Sequence, residues 1–170
     1  KFCQIGSSVN PVSSSHFNFS TYEPVGLVGL IASQESSLLG LVSLLMPIIA
    51  GGNTCVVLAN ESLPLCSITF SEVLHASDVP GGVVNIITGH ISELIKPLST
   101  HMDVNAVAFS GLKELKKEID LYSVENLKRV RSYDIDWKNS DAQGLHFITD
   151  FQEVKTTWHP IENIGGASST

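Results

Sequence analysis

Charge is scarce in this sequence: Asp, Glu, Lys and Arg make up only 16% of its 170 residues, where an ordinary soluble domain carries about a quarter. So few charges, beside much Val, Ile, Leu and Gly, suit strands buried on both faces. Positive charge is scarcer still. Ten Lys and Arg face seventeen Asp and Glu, a net charge of −7, which argues against nucleic acid or an anionic membrane as the main partner. The three cysteines, Cys3, Cys55 and Cys66, form no Cys-x-x-Cys pair and no disulfide framework, so a reduced, cytoplasmic setting is expected. The six histidines show no spacing to Cys or carboxylate that would hold a metal. The longest apolar run, 38–50, is interrupted by Gly40, Ser43 and Pro47 and falls short of the roughly 20 residues a spanning helix needs. With no signal peptide in view, the sequons at Asn18 and Asn60 are read as chance matches. The chain starts at Lys1 rather than Met and is expected to be a piece of something longer.

What is present is a 43% hydrophobic chain, enough for one domain with a real core. From Glu23 onward, short β runs alternate with helical stretches. Strands are expected at 25–32, after Pro24, and at 54–59, 83–87, 106–110 and 127–133. Helices are expected at 38–50, stopped by Gly51 and Gly52, at 65–76 behind Pro64, and at 92–100 and 113–123. The strand runs are continuously apolar rather than alternating, which predicts a parallel sheet covered by helices on both faces. The two ends differ. Residues 16–21 alternate polar and apolar, and Val154, Thr156 and Trp158 fall on the face opposite Lys155, Thr157 and His159. The fold class expected is therefore α/β, a doubly wound parallel Rossmann-like sheet with a small projecting antiparallel sheet of three strands. The residues after Pro160, 163–170 above all, read as a disordered tail.

Several strings carry a resemblance. Glu23-Pro24-Val25-Gly26-Leu27-Val28-Gly29, then Pro47, Ala50, Gly52, Asn53 and Thr54, then Glu61 to Leu65, Pro80 to Ile86, Gly89, His101, Asp103-Val104 and Val107 to Gly111 follow one another in order through some 90 residues. Together they resemble the NAD-binding region of aldehyde dehydrogenases. Residues 8–22 resemble the oligomerisation strands of that family, and 151–156 its final strand. The resemblance implies a division into oligomerisation strands (1–22), a degenerate NAD-binding-like α/β domain (23–137), and a linker with the C-terminal oligomerisation strand (138–162). Between Val130 and that last strand the family places a catalytic domain of well over a hundred residues; here about twenty intervene. The closest subgroup by resemblance is the degenerate C-terminal unit of family-sixteen aldehyde dehydrogenases.

The chemistry is expected to fail residue by residue. Aldehyde oxidation needs a thiolate nucleophile, a base and an oxyanion donor. By resemblance the donor Asn falls at Glu35, whose carboxylate would repel a developing oxyanion, and the base Glu falls near Tyr133. The cysteine loop has no counterpart. Cys55 lies inside a strand. Cys66 opens a helix, where a thiol can be activated, though a small apolar filler is the blander reading. Dinucleotide binding needs glycines and a hydroxyl at a helix N-terminus. The resemblance retains Gly111 but puts Leu112 at the phosphate-binding Ser and Lys116 at a later Gly. It puts Ile91 and Ile95 where glycines leave room for phosphate, and Leu58 at the ribose-binding Lys. Glu61 survives as the ribose partner of that Lys, or is simply a surface residue near a turn. Lys113 and Lys116 either attract phosphate or form, with Lys117, the solvated face of a helix, balanced by Glu114 and Glu118.

The expected function is thus a non-catalytic structural, oligomerisation or protein-interaction unit of a larger protein. It would meet itself or a sister unit through antiparallel strands, as a dimer or other homo-oligomer. No catalytic residue, metal or cofactor is assigned, and only Glu61 and Gly111 remain as vestigial cofactor contacts. The alternatives are a residual NAD(P)- or nucleotide-binding module, and a unit whose active cysteine is supplied by another part of the same polypeptide.

Overall fold

A computed structural model describes residues 7–161; the expected disordered tail 163–170 and Cys3 lie outside the described residues. The chain runs β1 (Ser8–Asn10), β2 (His16–Pro24), β3 (Leu27–Ile31), α1 (Leu39–Ala50), β4 (Thr54–Leu58), α2 (Leu65–His75), β5 (Val84–Ile87), α3 (Ile91–Thr100), β6 (Val104–Ser110), α4 (Lys116–Val124), β7 (Arg129–Tyr133), α5 (His146–Thr149) and β8 (Gln152–Pro160). Five strands form a parallel sheet in the order β5-β4-β3-β6-β7, and three form an antiparallel sheet in the order β1-β2-β8. Both sheets agree with the expected fold class.

The continuous apolar runs find their reason in two cores. Val28, Leu30 and Ala32 point to one face of β3, with Leu41, Leu44, Leu45 and Ile48 of α1. Those four recur at i, i+3, i+4 and i+7, one stripe of a helix. Ile31 points to the other face, where Ile91, Ile95 and Leu98 of α3 and Ile119 of α4 cover it. A strand packed on both sides has no face left for polar residues.

The stretch expected as a linker holds more structure than that. Residues 134–151 contain α5, and Phe147, Ile148 and Phe151 are buried. Phe147 packs beside Tyr133 and Trp137, with ring centroids 5.2 and 5.4 Å away. The spacing Phe147, Ile148, Phe151 is itself helical; its shortness hid it. One buried residue fastens this return to the core. Asn53 donates from Nδ2 to the carbonyls of Ile48 (3.1 Å) and Phe151 (2.9 Å) and accepts the Gly26 N–H (3.1 Å), so all three faces of the junction meet on one amide. Gly26 adopts φ +119, and a Cβ there would fall 2.6 Å from Asn105 Oδ1, so glycine is required on both counts.

The small sheet is built differently. His16–Pro24 pairs with Gln152–Pro160 along nine residues. The β8 strand is its edge, and Val154, Trp158 and Phe17 remain exposed. Both sequon asparagines are buried, and Asn60 donates its amide to the Ser33 and Gln34 carbonyls, which keeps it from a glycan-transferring enzyme.

Candidate functional site

In an open α/β sheet, ligands sit beyond the carboxyl ends of the strands where the strand order reverses. Here the reversal lies between β3 and β6. The loops leaving these strands, 32–38 and 111–115, face each other there. A cavity of about 310 Å³ opens beside them, lined by Ser33, Glu35 and Ser36 on one side and by Asp134, Asp136, Trp137 and Lys138 on the other.

Gly111 ends β6 with φ +74, and a Cβ at that position would sit 3.8 Å from Glu35 Oε1. The tight turn is kept while a carboxylate faces it. Lys113 does not belong to the solvated face of α4, which begins at Lys116. It lies in the preceding turn and bridges Asp134 at 2.6 Å. That carboxylate, accepting its hydrogen bond, raises the Lys113 pKa. With Lys113 paired to Asp134, Glu35 and Asp136 outnumber Lys138 in the lining. That balance disfavours pyrophosphate.

Trp137 is one of the lining residues. Its Nε1–H donates to Ser110 Oγ at 3.2 Å, and it meets Tyr133 edge-on at 6.2 Å. Tyr133, at the expected base position, is buried and donates its hydroxyl to Asp150 Oδ2 (2.8 Å). Burial, then that carboxylate, pushes its pKa well above the phenol range, so it is no base. Trp137 carried no motif in the sequence and was missed; its role depends on the return of residues 134–151 over the sheet.

Glu61 accepts a hydrogen bond on each carboxylate oxygen. Its Oε2 accepts the Ile91 N–H at 3.0 Å, the first amide of α3, and its Oε1 lies 2.8 Å from His90 Nδ1. A carboxylate at a helix N-terminus satisfies an orphan donor and opposes the helix dipole. The hydrogen bond from His90 lowers the Glu61 pKa, and the same bond raises that of His90. Glu61 thus ties two loops, with each oxygen already accepting one hydrogen bond. Leu58, Ile91 and Ile95 are buried together with Phe109 in the second core. Ile91 and Ile95 were expected to crowd a phosphate, and Leu58 to stand at the ribose-binding Lys; all three point into the protein. Leu112 is half-buried against the same core. The loops are fixed by Gln34 as well, whose Oε1 accepts the Glu61 N–H at 2.9 Å.

The cysteines separate cleanly. Cys55 is fully buried in β4, and burial pushes its thiol up to about 12, far from a thiolate. Cys66 is exposed in the first turn of α2. Glu35, Glu61 and Gly111 all lie along the carboxyl edge of the parallel sheet; neither cysteine joins Glu35 around the cavity. Among the described residues no group of three His, Cys, Asp or Glu could hold a metal, and no helix is long and apolar enough to cross a membrane.

Comparison with known proteins agrees with this architecture. The profile of the "Aldehyde dehydrogenase family" matches residues 3–132. Hydroxyisobutyraldehyde dehydrogenase of Mycolicibacterium austroafricanum is 32% identical over 127 residues, 75% of this chain and 25% of that protein. Human aldehyde dehydrogenase 1A1 is 34% identical over 121 residues, 71% of this chain and 24% of that protein. Among solved structures, apo indole-3-acetaldehyde dehydrogenase superposes with a TM-score of 0.74 at 29% identity, covering 78% of this chain and 30% of that one. PnpE from Pseudomonas sp. WBC-3 gives 0.72 at 29% identity, covering 77% and 27%. The chain spans about a quarter of the length of the curated relatives it matches. A profile match over most of the chain, with a superposable fold, places this chain in the aldehyde dehydrogenase family.

Proposed function

We propose that this chain is a non-catalytic, pseudoenzyme unit of the family, of the kind found as the degenerate C-terminal unit of family-sixteen aldehyde dehydrogenases, and that it serves assembly. The observation that carries this is the β8 edge: nine residues long, unpaired on its outer side among the described residues, with Val154 and Trp158 exposed. Long free edges with aromatic surface are covered in stable proteins. A second copy or a sister unit that adds an antiparallel strand to β8 covers both, and a two-fold axis makes the contact self-complementary. The carboxyl edge supports the same reading from the other side. Glu35 faces the Gly111 turn, Glu61 is committed to α3, and Lys113 is committed to Asp134. No aldehyde oxidation and no NAD are assigned to the unit, and nucleic acid and membrane are not its partners.

The test is light scattering over a range of concentrations on the intact chain and on the double variant Val154→Ser, Trp158→Ser. The intact chain is expected above monomer mass and the variant nearer to it, with unchanged circular dichroism. A monomeric intact chain at high concentration refutes the assembly role.

One observation favours the alternative, a residual nucleotide-binding module: Gly111 retains the left-handed turn that lets a backbone approach phosphate. On that reading Lys113 exchanges Asp134 for a phosphate, and Lys113→Ala abolishes nucleotide binding.

A further inference from the structure

Two arginines meet at the amino edge of the parallel sheet, opposite the crevice. A cavity of about 510 Å³ opens there between the starts of β6 and β7 and the root of β8. Its polar wall is made by Arg129 and Arg131 of β7, Asn105 of β6 and Glu153 of β8. The two arginines are two residues apart on one strand, so they share a face about 7 Å apart.

Arg129 is held rigid. Its Nη1 donates to the carbonyls of Asp150 (3.0 Å) and Gln152 (2.9 Å). Its Nη2 lies 3.9 Å from Glu153 Oε1, too long for a hydrogen bond. Arg131 is placed by its Nε, 3.4 Å from Asp150 Oδ1. The other oxygen of Asp150 takes the Tyr133 hydroxyl, so Asp150 steers Arg131 without filling its fork. Neither Nη of Arg131 has a hydrogen-bond partner among the described residues. Asn105 turns its Oδ1 to the Leu27 N–H (3.0 Å), which leaves its amide N–H groups unused. The wall therefore offers a preset guanidinium fork, a second fixed positive charge and an amide donor, with Glu153 the single carboxylate lining the cavity.

We propose that this cavity binds a small oxyanion, a carboxylate or a phosphate monoester. Arg131 would pair with it through both Nη groups, Arg129 would add charge, and Glu153 would swing away. Planar guanidinium forks match such oxyanions in two parallel hydrogen bonds. Nothing here is a reaction. Because Arg129 also grips the backbone at the root of β8, a bound anion ties the small sheet to the core.

The experiment uses the intact chain at low ionic strength, titrated by calorimetry with inorganic phosphate and, separately, with succinate. At least one is expected to bind saturably at one site, and which one identifies the chemical source. Arg131→Gln is expected to weaken binding about tenfold, the loss typical of a charge-assisted pair. Arg131→Lys, which keeps the charge but not the fork, falls between. Glu153→Gln removes the competing carboxylate and tightens binding. No saturable binding of either anion overturns the proposal. So does undiminished binding in Arg131→Gln or weaker binding in Glu153→Gln; the Glu153 variant keeps the test decisive if Arg131→Gln fails to fold.

Discussion

The carboxyl edge of the parallel sheet and the small antiparallel sheet use their side chains in opposite ways. At the carboxyl edge the strand order reverses between β3 and β6, and Gly111 makes a left-handed turn. The side chains there serve local structure, Glu61 capping α3, Lys113 pairing with Asp134 and Trp137 donating to Ser110. In the small sheet Phe17, Val154 and Trp158 stay exposed, and the β8 edge is open among the described residues. Burial in the two cores, not either of these regions, supplies the stability.

If that contrast is sound, substitutions in the core and in the small sheet must separate folding from assembly. The largest effect is expected from Phe151→Ala. Phe151 is fully buried, and its ring closes the first core behind α5. Loss of about 3–5 kcal/mol in urea unfolding is expected for such a cavity. Asn53→Ala follows. It strips partners from the Gly26 N–H and from the Ile48 and Phe151 carbonyls, and about 2–3 kcal/mol should be lost by the same measurement. Trp158→Ser stands against both. Its ring is more than half exposed, so unfolding of the monomer should move by less than about 1 kcal/mol while the associated mass falls. A Trp158 variant that unfolds the whole chain would erase the distinction between the two regions.

The smallest effect is a pH dependence at Glu61. Glu61 has a lowered pKa, so its contribution is fully present above the ordinary value of 4.5 and is lost as pH falls through the lowered one. His90 has a raised pKa, so its contribution is fully present below 6.5 and is lost as pH rises through the raised one. The tie is therefore complete between pH 4.5 and 6.5. Amide exchange at Ile91, corrected for intrinsic rates, should be slowest in that window. Glu61→Gln should flatten the profile. A profile that is flat in the unmodified chain would remove Glu61 from its capping role.

Much of this was legible in the sequence. Continuous apolar runs at 25–32 and 54–59 announced strands buried on both faces, and the alternation at 16–21 and around Trp158 announced the half-exposed pair. Local pattern sufficed because each segment reports its own surroundings. The start of α4 was placed too early, at Lys113, because the sequence shows the charge of that residue but not Asp134 across the turn. The segment 138–151 was read as linker for a related reason: α5 has four residues, too few to display a helical period. At the site, Glu35, Leu58 and Leu112 were singled out one by one from the resemblance alone. The inward turn of Ile91 and Ile95 was not, since the same residue types would serve a crowded phosphate site or a packed core. The two engagements of Glu61 likewise depend on where the loop at His90 comes to rest, a tertiary fact.

The account rests most heavily on the claim that the dinucleotide site has been dismantled while its backbone remains. Calorimetric titration of NAD into the intact chain tests it directly. The account predicts no saturable heat below about 1 mM NAD, an affinity worth no more than about 4 kcal/mol, both in the unmodified chain and in Glu61→Gln. Micromolar binding that is lost in Glu61→Gln and in Lys113→Ala would contradict it, and would show that the ties at Glu61 and Lys113 open to admit the cofactor.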